Sequence, residues 1–343
     1  MMRFGYLTWF LVAVSLAMSA VVAFNYGAAR YILQHRAGAS VQTMSGFERA
    51  LKPAWLDALQ PDVVFVGTSR VRDAFDPTLI DRAFAVHSFN YGMSGMTSYE
   101  ARRFVQDAAA HASVKLIVLS LDAFTAGNPA QKTGAGFVES RLAVTGDGVP
   151  TPYYGLWLFA ARYLSGSALG MHALAVYALA HLSPQQSAAD RPDIFEAYSH
   201  MTPAIFHRDE AFRQSRTMRM SPWDRSELQI ALASVCHRPI RLMAYFPPDN
   251  AAMLARYEAN DPAGFQAFKV AVRRDVDRHN ATCQGKVSLF DFMRPNAITR
   301  EPLTQGVSES YVDLVHVRPP TGLRLFGVMY DPAHAGADGA LRR

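Results

Sequence analysis

The chain has 343 residues, half of them hydrophobic and 18% charged, with a formal net charge of +5. That length can bury a large core and suits one elaborated domain or two small ones, and the composition is ordinary for a globular protein. No Lys/Arg run of the nucleic-acid-binding type occurs, so no nucleic-acid partner is expected; the Arg excess scattered over residues 191–241 reads as a solvated basic face or as a site for an anionic polymer or lipid headgroups.

The first element is a run from Phe4 to Phe24 without a charge, flanked by Arg3 and Arg30. As a helix its 21 residues span about 31 Å, the thickness of a bilayer core. Residues 1–25 therefore read as a membrane anchor that contacts lipid through residues 4–24. The expected location is the inner (cytoplasmic) membrane, single-pass, with the bulk of the chain facing the periplasm or cell exterior. Arg3 favours this orientation, while Arg30 and Arg36 on the other flank weaken it. Two alternatives remain open: a signal peptide cleaved near Val21-Val-Ala23, and a buried soluble helix.

Residues 26–61 read as a linker with a juxtamembrane helix at Phe47–Leu59. An α/β domain follows over residues 62–330. Its expected strands are Asp62–Val66, Val86–Asn90, Lys115–Leu121, Pro239–Phe246 and Lys286–Phe290. Between them lie helices at Pro77–Phe84, with Pro at its first position, and at Thr97–His111, opened by the capping box Thr97-Ser-Tyr-Glu100. Helices are also expected at Trp223–Val235, Pro262–Asn280 and Pro319–Met329. This alternation predicts a doubly wound parallel sheet of α/β class. It is interrupted at about residues 125–222 by an insertion. There a Gly-rich loop precedes two apolar helices, Leu156–Leu164 and Ala168–Leu182, which are expected to pack on the core; residues 183–222 read as loop and 331–343 as a flexible tail. A membrane hairpin is the alternative for these two helices, opposed by Arg162 and by their short lengths.

Chemistry concentrates at strand ends, where sites form in such sheets. The first strand runs into Gly67-Thr-Ser69, which would present a hydroxyl beyond the sheet. Serine needs a base to become a nucleophile. No Ser-x-x-Lys occurs at this serine, and Val71 excludes the Gly-x-Ser-x-Gly elbow. Asp313 and His316, three residues apart, supply a base with its own orienting carboxylate. Asp331-Pro-Ala-His334 has the same spacing but is followed by a short polar end; the pair at 313/316 precedes a helix and is preferred. Gly92 and Gly95 stand at the turn after the second strand, where backbone N–H groups can meet an oxyanion or simply make a tight turn. Arg70 and Arg72 flank Ser69 and are read either as binding an anionic substrate or as bridging local acids such as Asp73 or Asp76. Cys236 and Cys283 each lie just before a strand; if those strands are parallel neighbours, the thiols share a sheet edge. They then form a disulfide in an oxidising compartment, or else remain two packed thiols. No metal site and no cofactor are expected.

Taken in order, Gly67-Thr-Ser69, Gly95 and Asp313-x-x-His316 resemble the SGNH (GDSL-like) hydrolase superfamily. The stretches Gly67–Pro77, Asn90–Glu100, Phe290-Asp-Phe292 and Ile298-Thr-Arg-Glu301 resemble its membrane-anchored bacterial members, similar to exopolysaccharide O-acetyltransferases and to the D-alanyl transfer protein of teichoic acid. The resemblance covers residues 60–125 and 225–330. It implies a flavodoxin-like three-layer sandwich with Ser69 as nucleophile, His316 as base and Asp313 as orienting acid. It also implies an oxyanion hole from Ser69 N–H, Gly95 and position 122, where the superfamily carries Asn and this chain carries Asp122; Asn128 is a substitute donor. The implied activity is an esterase or O-acyltransferase on acyl groups, acetyl foremost, of an envelope or secreted glycan. A multi-span membrane acyltransferase is the implied donor partner. The alternative is a catalytically decayed module that binds glycan or scaffolds an envelope complex.

Overall fold

The computed structural model describes residues 2–35, 47–125, 129–164, 166–181, 217–284, 287–302 and 308–331. The chain divides into two units, residues 1–55 with 138–194 and residues 56–137 with 195–343.

Among the described residues the larger unit holds five strands: β1 (Val63–Gly67), β2 (Ser88–Gly92), β3 (Leu116–Ser120), β4 (Arg241–Phe246) and β5 (Val287–Asp291). They are all parallel, in the order β2-β1-β3-β4-β5. The crossovers follow from that order. The link from β1 to β2 runs one way along the sheet; those from β2 to β3, β3 to β4 and β4 to β5 run the other. Right-handed crossovers then place helices on both faces. Side chains of β1 alternate accordingly. Val63 and Phe65 join a core with Phe75, Ile80, Tyr245, Leu325 and Phe326 under helices Pro77–Phe84 and Pro319–Tyr330. On the opposite side, Phe246 of β4 meets Phe268 of helix Pro262–Thr282 edge to face, with ring centres 5.2 Å apart. The fold class is therefore the doubly wound α/β sheet that the alternation predicts. Thr97 closes the expected capping box on helix Ser98–Ala110.

Cys236 and Cys283 precede the neighbouring strands β4 and β5 and are joined as a disulfide. Across a sequence separation of 47 residues such a link stabilises the fold by about 4 kcal/mol in the chain-entropy account.

In the smaller unit the first helix is Met2–His35, 34 residues long, so it runs ten residues beyond the boundary expected at residue 25. Gly5–His35 is long and apolar enough to cross a bilayer, and none of its most apolar window is buried. Within this unit the π turn at Ala160–Leu164, which continues helix Tyr154–Phe159, and helix Gly166–His181 pack with the N-terminal helix. The loop expected over residues 183–222 falls outside the described residues up to 216, and the tail does so after Asp331.

Candidate active site

β1 ends at Gly67, and Thr68 caps the short helix Ser69–Ala74 by accepting the Arg70 N–H at 3.3 Å. Ser69 thus occupies the first helical position, whose N–H has no partner within a helix. A helix of six residues cannot hold itself together in water. Asn90, on β2, supplies part of what is missing. Its Nδ2 donates to the carbonyl oxygens of Val71, Arg72 and Phe75, and its Oδ1 accepts the Gly92 N–H. Two glycines then let neighbouring backbone close in. A Cβ on Gly92 would stand 2.4 Å from the Arg72 nitrogen, and one on Gly322 only 1.8 Å from the Ala74 carbonyl oxygen. Because that second obstacle is backbone, Gly322→Ala must push the last helix off the serine helix. We expect a loss of about 3 kcal/mol, read as a lower urea midpoint; an unchanged midpoint would show the helices free to separate.

The opposite wall is the loop before helix Pro319–Tyr330. Asp313 Oδ1 accepts the N–H groups of Val315 and His316 at 2.8 and 2.7 Å, folding the loop back on itself. Its Oδ2 lies 2.7 Å from His316 Nδ1. A carboxylate only accepts, so this contact assigns the ring proton to Nδ1 and leaves Nε2 as an acceptor. Ser69 Oγ lies 2.8 Å from that Nε2, across 247 residues of sequence. The loop is tied to the end of β4 by Asn250 N–H donating to the Leu314 carbonyl at 2.9 Å, and Glu301 accepts the Ser310 N–H.

The electrostatics reinforce the arrangement. Burial works against a charged His316, but the charge and hydrogen bond of Asp313, with a further contribution from Asp73, outweigh it and raise the pKa above its ordinary value. Burial likewise opposes an ionised Asp313. The charge of His316, its ring N–H and the two backbone N–H groups hold the carboxyl well below the usual range. Such a pair favours a proton on the imidazole with the carboxylate ionised, the state a general base passes through.

The other expected site residues are placed differently. Arg70 is buried: its guanidinium lies 3.0 Å from Asp249 Oδ1 and 3.6 Å from Asp122 Oδ2, and it donates to the Tyr257 hydroxyl at 3.3 Å. Burial lowers its pKa, but Asp249, Tyr257 and Asp122 together raise it above the ordinary value. It faces inward to neutralise carboxylates, so the substrate-binding role is withdrawn. Arg72 pairs in bidentate fashion with Asp73 at 2.7 and 3.3 Å, the local bridge that is its other reading. Asp122 is no oxyanion donor. Its two oxygens accept the hydroxyls of Thr68 and Ser120 at 2.5 and 2.6 Å, and Arg70 faces one of them. Both of its oxygens are thus already engaged by neighbouring side chains. Gly95 stands exposed beyond β2 with a left-handed φ of 57° and nothing within 4 Å of where a Cβ would be. Asn128 and His334 lie outside the described residues. Among the described residues no three of His, Cys, Asp and Glu gather as a metal site would require.

Three contributors escaped the sequence reading: Asn90, Asp249 and Tyr257, whose hydroxyl donates to Asp249 Oδ2 at 2.9 Å. For Asp249 a signal was present, since an acid two prolines after a strand sits at the sheet end where sites form. Asn90 directly before Tyr-Gly92 was visible as a motif, but not as the clamp on the serine helix.

No family profile and no curated protein matches the chain. Among solved structures, a carbohydrate acetylesterase family member from Sinorhizobium meliloti is similar over 81% of this chain and 98% of its own, at 14% identity and a TM-score of 0.30. A likeness of that size says nothing about activity here.

Proposed function

We propose that the chain is a membrane-anchored serine esterase or O-acyltransferase of SGNH type. It acts on ester-linked acyl groups, acetyl foremost, of an envelope or secreted glycan. The observation that carries this is the Ser69–His316–Asp313 relay, with contacts of 2.8 and 2.7 Å. Ser69 Oγ attacks the acyl carbonyl as its proton passes to His316 Nε2, and Asp313 stabilises the imidazolium. The Ser69 and Gly95 N–H groups receive the oxyanion. His316 then returns the proton to the leaving sugar oxygen. Water resolves the acyl-enzyme in an esterase; a sugar hydroxyl does so in a transferase, with the acyl group brought by a multi-span membrane acyltransferase. The N-terminal helix crosses the inner membrane and the sheet unit faces the periplasm or cell exterior. The motif resemblance supports the superfamily and its anchored bacterial subgroup, and the length of the helix supports the anchor.

The test is covalent. A fluorophosphonate should label the full chain at Ser69 and fail to label Ser69→Ala; equal labelling of both would remove Ser69 from the reaction. A second reading is favoured by Asp122, which puts an acceptor where the superfamily has a donor. Losing one oxyanion donor costs about a hundredfold or more in rate. If the folded wild type resists the probe entirely, the decayed glycan-binding or scaffold module is the better description.

A further inference from the structure

Helix Gly166–His181 contains no Asp, Glu, Lys or Arg. A helix that faces water normally carries a charged face. One stripe, Ala168, His172 and Ala175, is buried, with His172 Nδ1 3.0 Å from Asn25 Oδ1 of the N-terminal helix. Asn25 Nδ2 also donates to the Tyr163 carbonyl at 2.9 Å, so both amide atoms of this buried residue are engaged by the insertion. The outer stripe is Leu169, Gly170, Ala173, Leu174 and Tyr177, all exposed, with Leu174 at 61%. Leu156 (68%) and Phe159 (42%) add a further exposed apolar pair.

The N-terminal helix supplies a ruler. Tyr6 and Trp9 stand near one end of its charge-free run, and Tyr26 and Tyr31 near the other. From Tyr6 to Tyr26 is about 30 Å of helix, the thickness of a hydrocarbon core, and Tyr and Trp collect at its two interfaces. Residues 5–20 are exposed on every side. The insertion meets the helix beyond that stretch, at the level of Tyr26: the rings of Tyr26 and Tyr163 are 5.8 Å apart, and Asn25, Ala28 and Ile32 are the buried positions.

We propose that the insertion is an interfacial membrane element. Leu156, Phe159, Leu169, Leu174 and Tyr177 seat in the headgroup–acyl boundary of the leaflet from which the N-terminal helix emerges. The occupant of this face is lipid. It lacks charge over the same helix that packs at the bilayer exit, and it continues the apolar surface of an element already suited to lipid. The chain would then hold the membrane at two places, one spanning and one lying on it. This rests on the reading that the N-terminal helix crosses the membrane.

The experiment uses the full chain in nanodiscs of phosphatidylcholine and phosphatidylglycerol. Single cysteines at Leu174, Leu156, Leu16 and Val270 carry nitrobenzoxadiazole, with Tyr177→Cys replacing any variant whose circular dichroism departs from wild type. Val270 is an exposed apolar residue on helix Pro262–Thr282 and serves as the aqueous reference. Lipid with a shallow nitroxide should quench the probes at Leu174 and Leu156 several-fold more than at Val270, and iodide should quench them less. Deep nitroxide lipid should quench Leu16. Iodide quenching of Leu174 and Leu156 equal to Val270 puts the face in water and overturns the inference. Shielding from both quenchers puts protein over the face, a second copy or another membrane protein, and overturns it too. If Leu16 also escapes the nitroxide lipid, the spanning reading falls with it; if Leu16 is quenched, only the interfacial inference fails.

Discussion

Asp313→Asn should slow fluorophosphonate labelling of Ser69 by about ten-thousand-fold while leaving the chain folded. The amide oxygen can still accept the Val315 and His316 N–H groups that shape the loop. Its NH2 group, however, now faces His316 Nδ1, where the carboxylate Oδ2 stood at 2.7 Å. Two donors cannot share that contact, so the ring moves its proton to Nε2. That nitrogen then points a hydrogen at Ser69 Oγ and can no longer take one. The pH profile should shift as well. In the wild type the reactive form is neutral His316, so the rate is full at alkaline pH and falls as pH drops through a pKa raised above 6.5. In Asp313→Asn the larger raising charge is gone and only the smaller contribution of Asp73 is left, while burial, which lowers the pKa, remains; the residual rate should therefore persist to more acid pH. Labelling within tenfold of wild type, with an unmoved acid limb, would show that Asp313 shapes the loop and nothing more.

The parts of this site that were legible in sequence are those written in local chemistry. Asp313 and His316 meet because a turn of three residues brings a carboxylate onto its own backbone N–H groups. Ser69 was locatable because an apolar run ends in Gly-Thr-Ser. The five strands were legible from their apolar runs with bounds that agree to within two residues; β1 and β2 run on into Gly67 and Gly92, which pair in the ladder although they carry no apolar side chain. Helices Ser69–Ala74 and Ala251–Asn260 were not legible. The first has four charged or hydroxylic residues out of six and is held by Asn90 and by close contact at Gly92 and Gly322 rather than by its own periodicity. The second starts at an Asn250 cap and buries only Met253, Leu254 and Tyr257. The partners of Arg70 were the hardest to foresee. Asp122 and Asp249 lie 52 and 179 residues away in sequence, and only the strand order brings the ends of β1, β3 and β4 together.

Arg70→Leu should destabilise the sheet unit by about 3–5 kcal/mol at neutral pH, the range expected when one member of a buried charge cluster is removed. The guanidinium is the shared counter-charge of Asp122 and Asp249, and all three side chains are 4% exposed or less. Leucine fills part of the space but takes away the guanidinium that faces both buried carboxylates. Asp249→Asn placed on Arg70→Leu should recover part of the loss at neutral pH, since it removes one of the two buried carboxylate charges that Arg70 faced. Urea midpoints of the wild type, the single variant and the double variant at pH 7 read both effects. An Arg70→Leu midpoint equal to wild type at pH 7 would mean that Asp122 and Asp249 need no cation. Arg70 would then not be what gathers the strand ends beneath Ser69.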